Sequence, residues 1–450
     1  MKIKSRLCLS VAAIGFAALL TTASVPLNAQ QSAPPAVAID SDDIGGVVTG
    51  ASGPEAGVWV IAETRDLAVR YIKIVVTDDQ GRYVLPDLPK ANYDVWVRGY
   101  GLVDSPKVKS EPGKQLNLTA VTAPDEKAAA QYYPAIYWFS MLEIPTQDKF
   151  GPDNKNHIPE KVTQTGWLNT MKNNGCVGCH QLGQLSTRTI PSFHLDKSKS
   201  HEEAWMRRIS SGQAGEIMTN LAAGDLGSAP FKYFGEWTQR IANGELPATK
   251  PTRPQGVERN IVVTLRDWHN DKQYLHDLIA SDRRNPTVNA YGPLYGQCEH
   301  ACNDMPILDP IKNVATNFVL PVTADMPLAL GPGNAGSTKI LGPSAYWGDE
   351  NIWDSKANNH NSMIDKKGRV WLAATGHVPN NPAFCKKGSS HPSAVEFPLD
   401  STNRRVTMYD PKTGKYTAYQ TCFGSHHLQF GYDANDTLWM STGGGGGNVG

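Results

Sequence analysis

The chain has 450 residues, of which 43 are Lys or Arg and 43 are Asp or Glu, so its formal net charge is zero at neutral pH. This length is enough for about three domains of ordinary size. Beyond its first few residues the chain has no run of like charge. Nucleic acid is therefore excluded as an expected partner, because phosphate binding needs a basic patch.

The N-terminus has the pattern of a secretory signal. A basic start from Met1 to Arg6 precedes an apolar stretch from Leu7 to Leu20, and Leu27-Asn28-Ala29 provides a small-residue cleavage site. The apolar stretch is shorter than the roughly 20 residues of a membrane span. We predict a signal peptide at 1–29 and a periplasmic or secreted mature chain without a membrane span; an uncleaved anchor is the alternative.

A linker and a β-domain are predicted next. Residues 30–43 are rich in Gln, Ser, Ala and Pro at their start, which is typical of a linker. From 44 to 121 apolar residues alternate, as in Val58-Trp59-Val60-Ile61, and turn signals such as Asp79-Gln80-Gly81 recur. This pattern predicts a small all-β sandwich of the immunoglobulin or prealbumin type.

The same segment resembles the carboxypeptidase regulatory-like domain. The resemblance rests on Gly57-Val58-Trp59-Val60, on Thr77-Asp78-Asp79-Gln80-Gly81-Arg82-Tyr83, and on Leu88-Pro89 leading to Tyr93. It implies a structural or binding module, so we expect a spacer or docking face here rather than a catalytic site.

Residues 122–286 contain helix formers mixed with loops, and they include a haem-attachment motif. Cys176-Val177-Gly178-Cys179-His180 fits Cys-x-x-Cys-His, in which two thiols bind the haem vinyl groups and the imidazole binds iron. A thioredoxin-type disulfide lacks its βαβ context, and a zinc site lacks a second pair at finger spacing. With a helix predicted at Trp167 to Met171, the segment resembles the start of a mainly α cytochrome c domain. The resemblance implies one covalent haem c.

The sixth iron ligand has several candidates. We expect Met218, because a thioether from a loop well after the motif often completes such a site. Met206 is the next candidate, although its place beside Trp205, on a helix that Ser200-His201-Glu202-Glu203 would cap, favours the core. His194 or His201 would give a bis-histidine haem, and an open site is the last alternative. A further helix is predicted from Phe234 to Ile241.

Residues 287–450 repeat themselves. Asn361 to Trp371 corresponds to Gln429 to Trp439, with the same six-residue step from Asp to Trp, and Ile307 to Val319 corresponds to Met408 to Tyr419. We expect both pairs to belong to one recurring four-strand unit. Such repeats are typical of β-propeller blades, normally about 40 to 50 residues long.

The spacing is longer than that of plain blades, so segments 323–358 and 376–403 are predicted insertions. Asp365-Lys-Lys-Gly-Arg-Val-Trp371 and Tyr409-Asp-Pro-Lys-Thr-Gly414 resemble the streptogramin lyase (virginiamycin B lyase) propeller, which implies a fold rather than an activity. A propeller closes with about four to eight blades. Parts of three precede Gly443 to Gly447, so we expect the start of a propeller from a longer protein.

Three histidines are the candidate catalytic residues. His360, His426 and His427 precede the predicted innermost strands of two units, which aims them at one face or at the central channel. Each alone would be typical of a loop histidine. The streptogramin lyases use a propeller histidine, but no residue-to-residue match supports the transfer of a role.

Four cysteines remain for structural bonds: Cys298, Cys302, Cys385 and Cys422. In an oxidising compartment an even number favours two disulfides, whose pairing stays open. A small metal cluster at 298–302 is the alternative. The arginines of 253–260 and 282–286 would either neutralise haem propionates or form ion pairs between domains.

This multidomain order predicts a periplasmic haem-dependent oxidoreductase. Haem c would exchange single electrons with a periplasmic redox partner, and the propeller would bind a small molecule or polymer of unknown identity. The first alternative is a non-catalytic substrate-binding and electron-transfer protein. The second is a propeller lyase that uses a divalent metal and histidine, with auxiliary haem.

Overall fold

The computed structural model describes residues 37–152, 158–329, 344, 347–350 and 352–441. The predicted signal peptide 1–29, the linker up to residue 36 and Gly443 to Gly447 lie outside the described residues. The chain forms several separate β-sheets with one helical region between them. Within the described ranges no helix has the length and apolarity needed to cross a bilayer.

The N-terminal strands form two sheets that share one core. They are β1 (Ile44–Gly50), β2 (Gly53–Pro54), β3 (Trp59–Thr64), β4 (Arg70–Val76), β5 (Arg82–Leu85), β6 (Tyr93–Arg98), β7 (Leu102–Val103), β8 (Val108–Ser110), β9 (Lys114–Gln115), β10 (Leu118–Thr119) and β11 (Val121–Thr122). In one sheet β1 pairs with β2, β5, β9 and β10; the other has the order β4-β3-β6-β8, and β7 pairs with β11. Tyr71 and Val75, two residues of alternately buried β4, pack with Ile44 and Leu85 of the first sheet.

The chain returns to the second sheet after the helical region. β12 (Val263–Asp267) pairs antiparallel with β4, which differs from the predicted boundary at 286. The pairing depends on a strand far earlier in the chain, so the local pattern does not reveal it. Nearby, Arg253 forms an ion pair with Glu55, and Arg259 forms one with Asp79. These two arginines therefore make the predicted ion pairs with the N-terminal sheets.

The helical region packs around a core rich in aromatic side chains. Its helices are α1 (Glu126–Ala130), α2 (Ala135–Phe139), α3 (Gln164–Asn169), α4 (Cys176–Cys179), α5 (Leu185–Arg188), α6 (Ser192–Leu195), α7 (His201–Ile209), α8 (Gly215–Thr219) and α9 (Ala229–Ala242). Single turns of 3-10 or π helix cover Gln147–Lys149, Thr170–Asn174, Asn220–Asp225 and Gly256–Asn260. Trp138, Trp167, Trp205 and Trp237 are all buried in this core.

The predicted helices of this region are confirmed at 167–171, 201–209 and 234–241, the last as part of the longer α9. Ser200 caps α7, because its Oγ accepts a hydrogen bond from the amide of Glu203 at 3.1 Å, while the Glu203 carboxylate accepts the amide of Lys199 at 2.8 Å. The expectation that Met206 is a core residue is wrong. Its side chain is 46% exposed, since α7 turns Trp205 inward and its neighbour outward.

The C-terminal strands form two four-stranded antiparallel sheets and a hairpin. The first sheet contains β13 (Asp277–Ile279), β14 (Leu294–Gln297), β15 (Asp304–Asp309) and β16 (Val314–Val319); the second contains β17 (His360–Ile364), β18 (Val370–Ala374), β19 (Arg405–Asp410) and β20 (Lys415–Tyr419); the hairpin is β21 (Leu428–Phe430) with β22 (Leu438–Met440). The recurring four-strand unit is confirmed. The first sheet begins at Asp277, ahead of the predicted boundary, because β13 pairs with β14. These strands close no ring within the described residues.

The predicted repeats are the two kinds of hairpin in each unit. The segment starting at Asn361 joins strands one and two of its sheet, whereas the segments starting at Ile307 and Met408 join strands three and four. Segment 376–403 lies between β18 and β19 and contains α10 (Pro392–Glu396) and a 3-10 turn at Ala383–Cys385. The other predicted insertion, 323–358, follows β16 in the chain, and its residues 330–343, 345–346 and 351 lie outside the described residues.

The first strands of the three C-terminal units lie side by side. The amide of Asn361 in β17 donates to Asp277 Oδ2 of β13 at 2.9 Å, and the amide of Leu428 in β21 donates to Asn361 Oδ1 at 2.6 Å. The residues at the beginnings of these strands are therefore neighbours.

Two disulfides are confirmed, and the structure settles the pairing that the sequence left open. Cys298 is bonded to Cys302, and Cys385 is bonded to Cys422. The second bond ties the insertion at 376–403 to the chain that follows β20. The sulfur atoms of Cys298 and Cys302 are bonded to each other, so they do not form the alternative metal cluster.

Candidate functional site

The Cys-x-x-Cys-His motif lies on a single helical turn. Cys176 and Cys179 begin and end α4, and His180 follows with an extended backbone. Both are free thiols, the first partly buried and the second exposed. Two unpaired thiols one turn apart, beside an imidazole, are the groups that two thioether bonds and one axial ligand require.

The protonation of the motif is set by burial and one arginine. The side chain of His180 is exposed at its surface, yet partial desolvation and the Arg208 guanidinium lower its pKa, which favours the neutral, metal-binding imidazole. Burial raises the pKa of the Cys176 thiol. This thiol is therefore protonated at neutral pH and is not an activated thiolate.

A cavity of about 790 Å³ lies beside the motif. Cys179 and His180 are on its wall, with the apolar side chains of Ile136, Phe139, Leu142, Ile144, Trp167, Leu168, Met171, Val177 and Leu182. Volumes of about 300 to 1,000 Å³ with apolar walls are typical of cofactor sites. Lys172 and Glu143 are also on the wall, and the Lys172 ammonium can offset the charge of a propionate. The residues present therefore fit a haem.

None of the four candidates for the sixth ligand lines this cavity in the described part of the chain. Met218 lies on α8 and packs against the helical core. Met206 is exposed, and His201 lines a second cavity, between α5 and α9. His194 has its pKa lowered by burial and by Arg208. The sixth ligand stays a prediction.

The three predicted histidines of the C-terminal sheets lie together with a fourth, His276. His360 is the first residue of β17, His426 and His427 immediately precede β21, and His276 immediately precedes β13. The ring centroid of His360 lies 4.4 Å from that of His426, 5.2 Å from that of His427 and 4.6 Å from that of His276. We call these four residues the histidine cluster.

His360 is the buried centre of the histidine cluster. Its side chain is 2% exposed, and neither ring nitrogen makes a hydrogen bond within the described part of the chain. Burial and the charge of Arg404 lower its pKa to about 3, so the ring is neutral. Burial and the adjacent His427 also lower the pKa of His426. The cluster thus contains two uncharged imidazoles at neutral pH.

Asp277 and Glu299 supply negative charge to the cluster. Asp277 Oδ2 accepts a hydrogen bond from His276 Nδ1 at 2.9 Å and lies 3.1 Å from His360 Nδ1. Burial alone would raise the pKa of Asp277, but this bond and the hydrogen bond from the Asn361 amide lower it to about 2. The same bond raises the pKa of His276.

Glu299 reaches the cluster from the loop closed by the Cys298–Cys302 disulfide. Its carboxylate oxygens lie 3.4 Å from His276 Nε2 and 3.5 Å from His360 Nδ1, and Arg404 Nη2 donates to it at 2.5 Å. Burial would raise its pKa, but the charges of His300 and Arg404 lower it overall. The carboxylate is therefore ionised.

His276, Glu299 and Arg404 were missed by the sequence analysis. His276 immediately precedes β13, just as His427 immediately precedes β21. A sequence prediction of a first strand at 277–279 would therefore have pointed to His276. Glu299 has a positive φ of 48° inside the disulfide loop, and no local pattern aims it at the cluster.

The helical region contacts the C-terminal sheets close to the histidine cluster. Buried Gln213 donates to the Trp353 carbonyl at 2.8 Å and accepts from the Trp353 amide at 2.8 Å. The Trp353 ring lies 5.4 Å from that of Tyr274, which in turn lies 6.2 Å from that of His276. A row of aromatic rings therefore leads from this contact to the cluster.

No known protein family matches the chain, and no curated protein matches it. A solved structure of a catalytically inactive variant of virginiamycin B lyase from Staphylococcus aureus, with quinupristin, is similar over 40% of this chain and 39% of that chain, at 10% identity and a TM-score of 0.22. The chain spans about two fifths of the length of that lyase.

Proposed function

We propose that the chain is an exported c-type haem protein that transfers electrons, as part of an oxidoreductase whose substrate binds at the histidine cluster of a propeller. Cys176 and Cys179 would hold haem covalently and His180 would be its proximal ligand. When bound, haem supplies one-electron chemistry, while the surrounding side chains set its potential through ligation and burial.

The observation that carries the proposal is the state of the two thiols. Cys176 and Cys179 stay unpaired in the motif, and Cys179 and His180 line the adjacent cavity, while the other four cysteines within the described ranges form disulfides. In an exported chain, thiols left free at this spacing are expected to be used for haem attachment. The adjoining starts of β13, β17 and β21 support a propeller-like arrangement for the second site.

Haem attachment is tested by a pyridine haemochrome spectrum and an intact mass of the exported full chain. We expect one haem that resists acidic solvent extraction, and its loss in the double variant Cys176→Ala/Cys179→Ala. Val177→Ala is the matched control, because it changes the motif without removing a ligand or a thiol. If the wild-type chain is exported in cells that attach haem c to other proteins and still contains no haem, the proposal is contradicted.

The sixth ligand is tested on the same protein by visible and near-infrared spectra. Ligation by Met218 predicts a thioether charge-transfer band that disappears in Met218→Ala and persists in Met206→Ala. An unchanged band in Met218→Ala would refute this ligand. Turnover that persists in the haem-free double variant would favour the lyase alternative over the oxidoreductase.

A further inference from the structure

We propose that the histidine cluster, together with Glu299, binds a divalent transition metal ion of the copper and zinc class. This inference deepens the proposed function by naming what its second site holds, and it rests on that function for the role of the metal. The residues of this metal site include none of the haem motif.

The geometry offers two ligand sets that share one residue. Ligand atoms of His360, His426 and His427 lie within 4.8 Å of one another, and so do those of His276, Glu299 and His360. A metal ion has its ligand atoms about 2.0 to 2.2 Å from itself, so these separations would shorten on binding. His360 would be the common ligand.

His360 Nε2 is shielded from solvent and has no hydrogen-bond partner among the described residues. Nδ1 makes no hydrogen bond there either, but it lies 3.1 Å from Asp277 Oδ2. Buried polar atoms in native structures are almost always paired. A neutral imidazole has one nitrogen with a free lone pair, which a bound cation would satisfy.

The groups around the ligands suit a cation. Asp277 and Glu299 contribute two negative charges and Arg404 one positive charge, so the carboxylates outweigh the guanidinium by one. The Asp277–His276 hydrogen bond of 2.9 Å has the form of the carboxylate–histidine pairs that orient ligands in metal sites.

The donor atoms select the class of metal. Imidazole nitrogen suits copper and zinc, whereas magnesium and calcium take oxygen ligands and usually retain water. With at most one carboxylate among the ligands, we expect Cu²⁺ and Zn²⁺ to bind far more tightly than Mg²⁺.

The test is a calorimetric titration of the chelator-treated full chain with Zn²⁺, Cu²⁺ and Mg²⁺, with electron paramagnetic resonance of the Cu²⁺ form. We expect one tight site for Zn²⁺ or Cu²⁺, with imidazole nitrogen couplings in the copper spectrum. In His426→Ala/His427→Ala, which changes partly or fully exposed side chains, affinity should fall at least about tenfold. His391→Ala, whose ring contacts Phe384, is the matched control.

Because removal of buried His360 can affect folding, His360→Gln is compared with wild type by circular dichroism before titration. Equal affinity and an unchanged copper spectrum in both cluster variants would overturn the proposal, as would Mg²⁺ binding as tight as Zn²⁺ binding. The haemochrome measured on the same samples separates the two claims: metal binding without haem refutes only the haem, and haem without metal binding refutes only this site.

Discussion

Asp365 organises the turn that produces the repeated Asp to Trp step. Its side chain is 1% exposed; Oδ1 accepts the amides of Lys367 and Arg369 at 2.9 and 3.0 Å, and Oδ2 accepts Arg369 Nε at 2.7 Å and Trp371 Nε1 at 3.0 Å. One carboxylate thus fixes the turn, the arginine and the indole. The repeat was visible in the sequence because all these contacts are local.

We expect Asp365→Asn to lower the free energy of unfolding by about 1.5 to 3 kcal/mol, because hydrogen bonds to a buried charge are lost. The measurement is urea unfolding of the full chain. Asp433→Asn is the control: Asp433 holds the equivalent turn but is exposed, so its change should be within about 0.5 kcal/mol. Equal losses at both positions would contradict this account of burial.

The Asp365 carboxylate also predicts an acid dependence. Burial would raise its pKa, but hydrogen bonds from Trp371 and Arg369 lower it overall. A group with a lowered folded pKa stabilises the protein above its unfolded pKa, about 3.9, and loses that contribution as pH falls through its folded value. The difference in stability between wild type and Asp365→Asn should therefore shrink as the pH is lowered below about 4.

The two disulfides close loops of very different length. The bonded cysteines are 37 residues apart in Cys385–Cys422 and 4 apart in Cys298–Cys302. The loop-entropy relation gives about 3.8 kcal/mol for the first and about 2 kcal/mol for the second. Replacing both members of each pair by Ala should therefore destabilise the chain more for the longer loop, as measured by urea unfolding. The reverse order would contradict the entropic origin.

The same contrast between local and distant contacts explains what the sequence could predict. The strands of the N-terminal sheets, α7 with its Ser200 cap and the four-strand repeat were predictable, because each depends on neighbouring residues. The pairing of β12 with β4 and the approach of Glu299 to His360 depend on distant parts of the chain. His360, His426 and His427 were found because they lie at the beginnings of first strands. His276 was not found because β13 is too short to be predicted from its pattern.

Gln213 joins the helical region to the C-terminal sheets. Gln213→Ala leaves the partly buried Trp353 carbonyl and amide without their partners, which costs less than the roughly 1 to 3 kcal/mol of a fully buried group. We expect faster hydrogen exchange at the Trp353 amide, with unchanged exchange in β3. Gln239→Ala, on the exposed face of α9, is the control. Unchanged exchange at Trp353 would show that the contact is dispensable.

The return of the chain at β12 bears on how such a protein can be divided. Because β12 pairs with β4, the helical region is an insertion between two strands of one sheet. During synthesis, the ribosome must release the whole insertion before β12 can add to the edge of that sheet. Recombination of the gene at residue 121 would separate β4 from its partner strand β12. Recombination after residue 267 would keep the sheet and its inserted helical region in one segment.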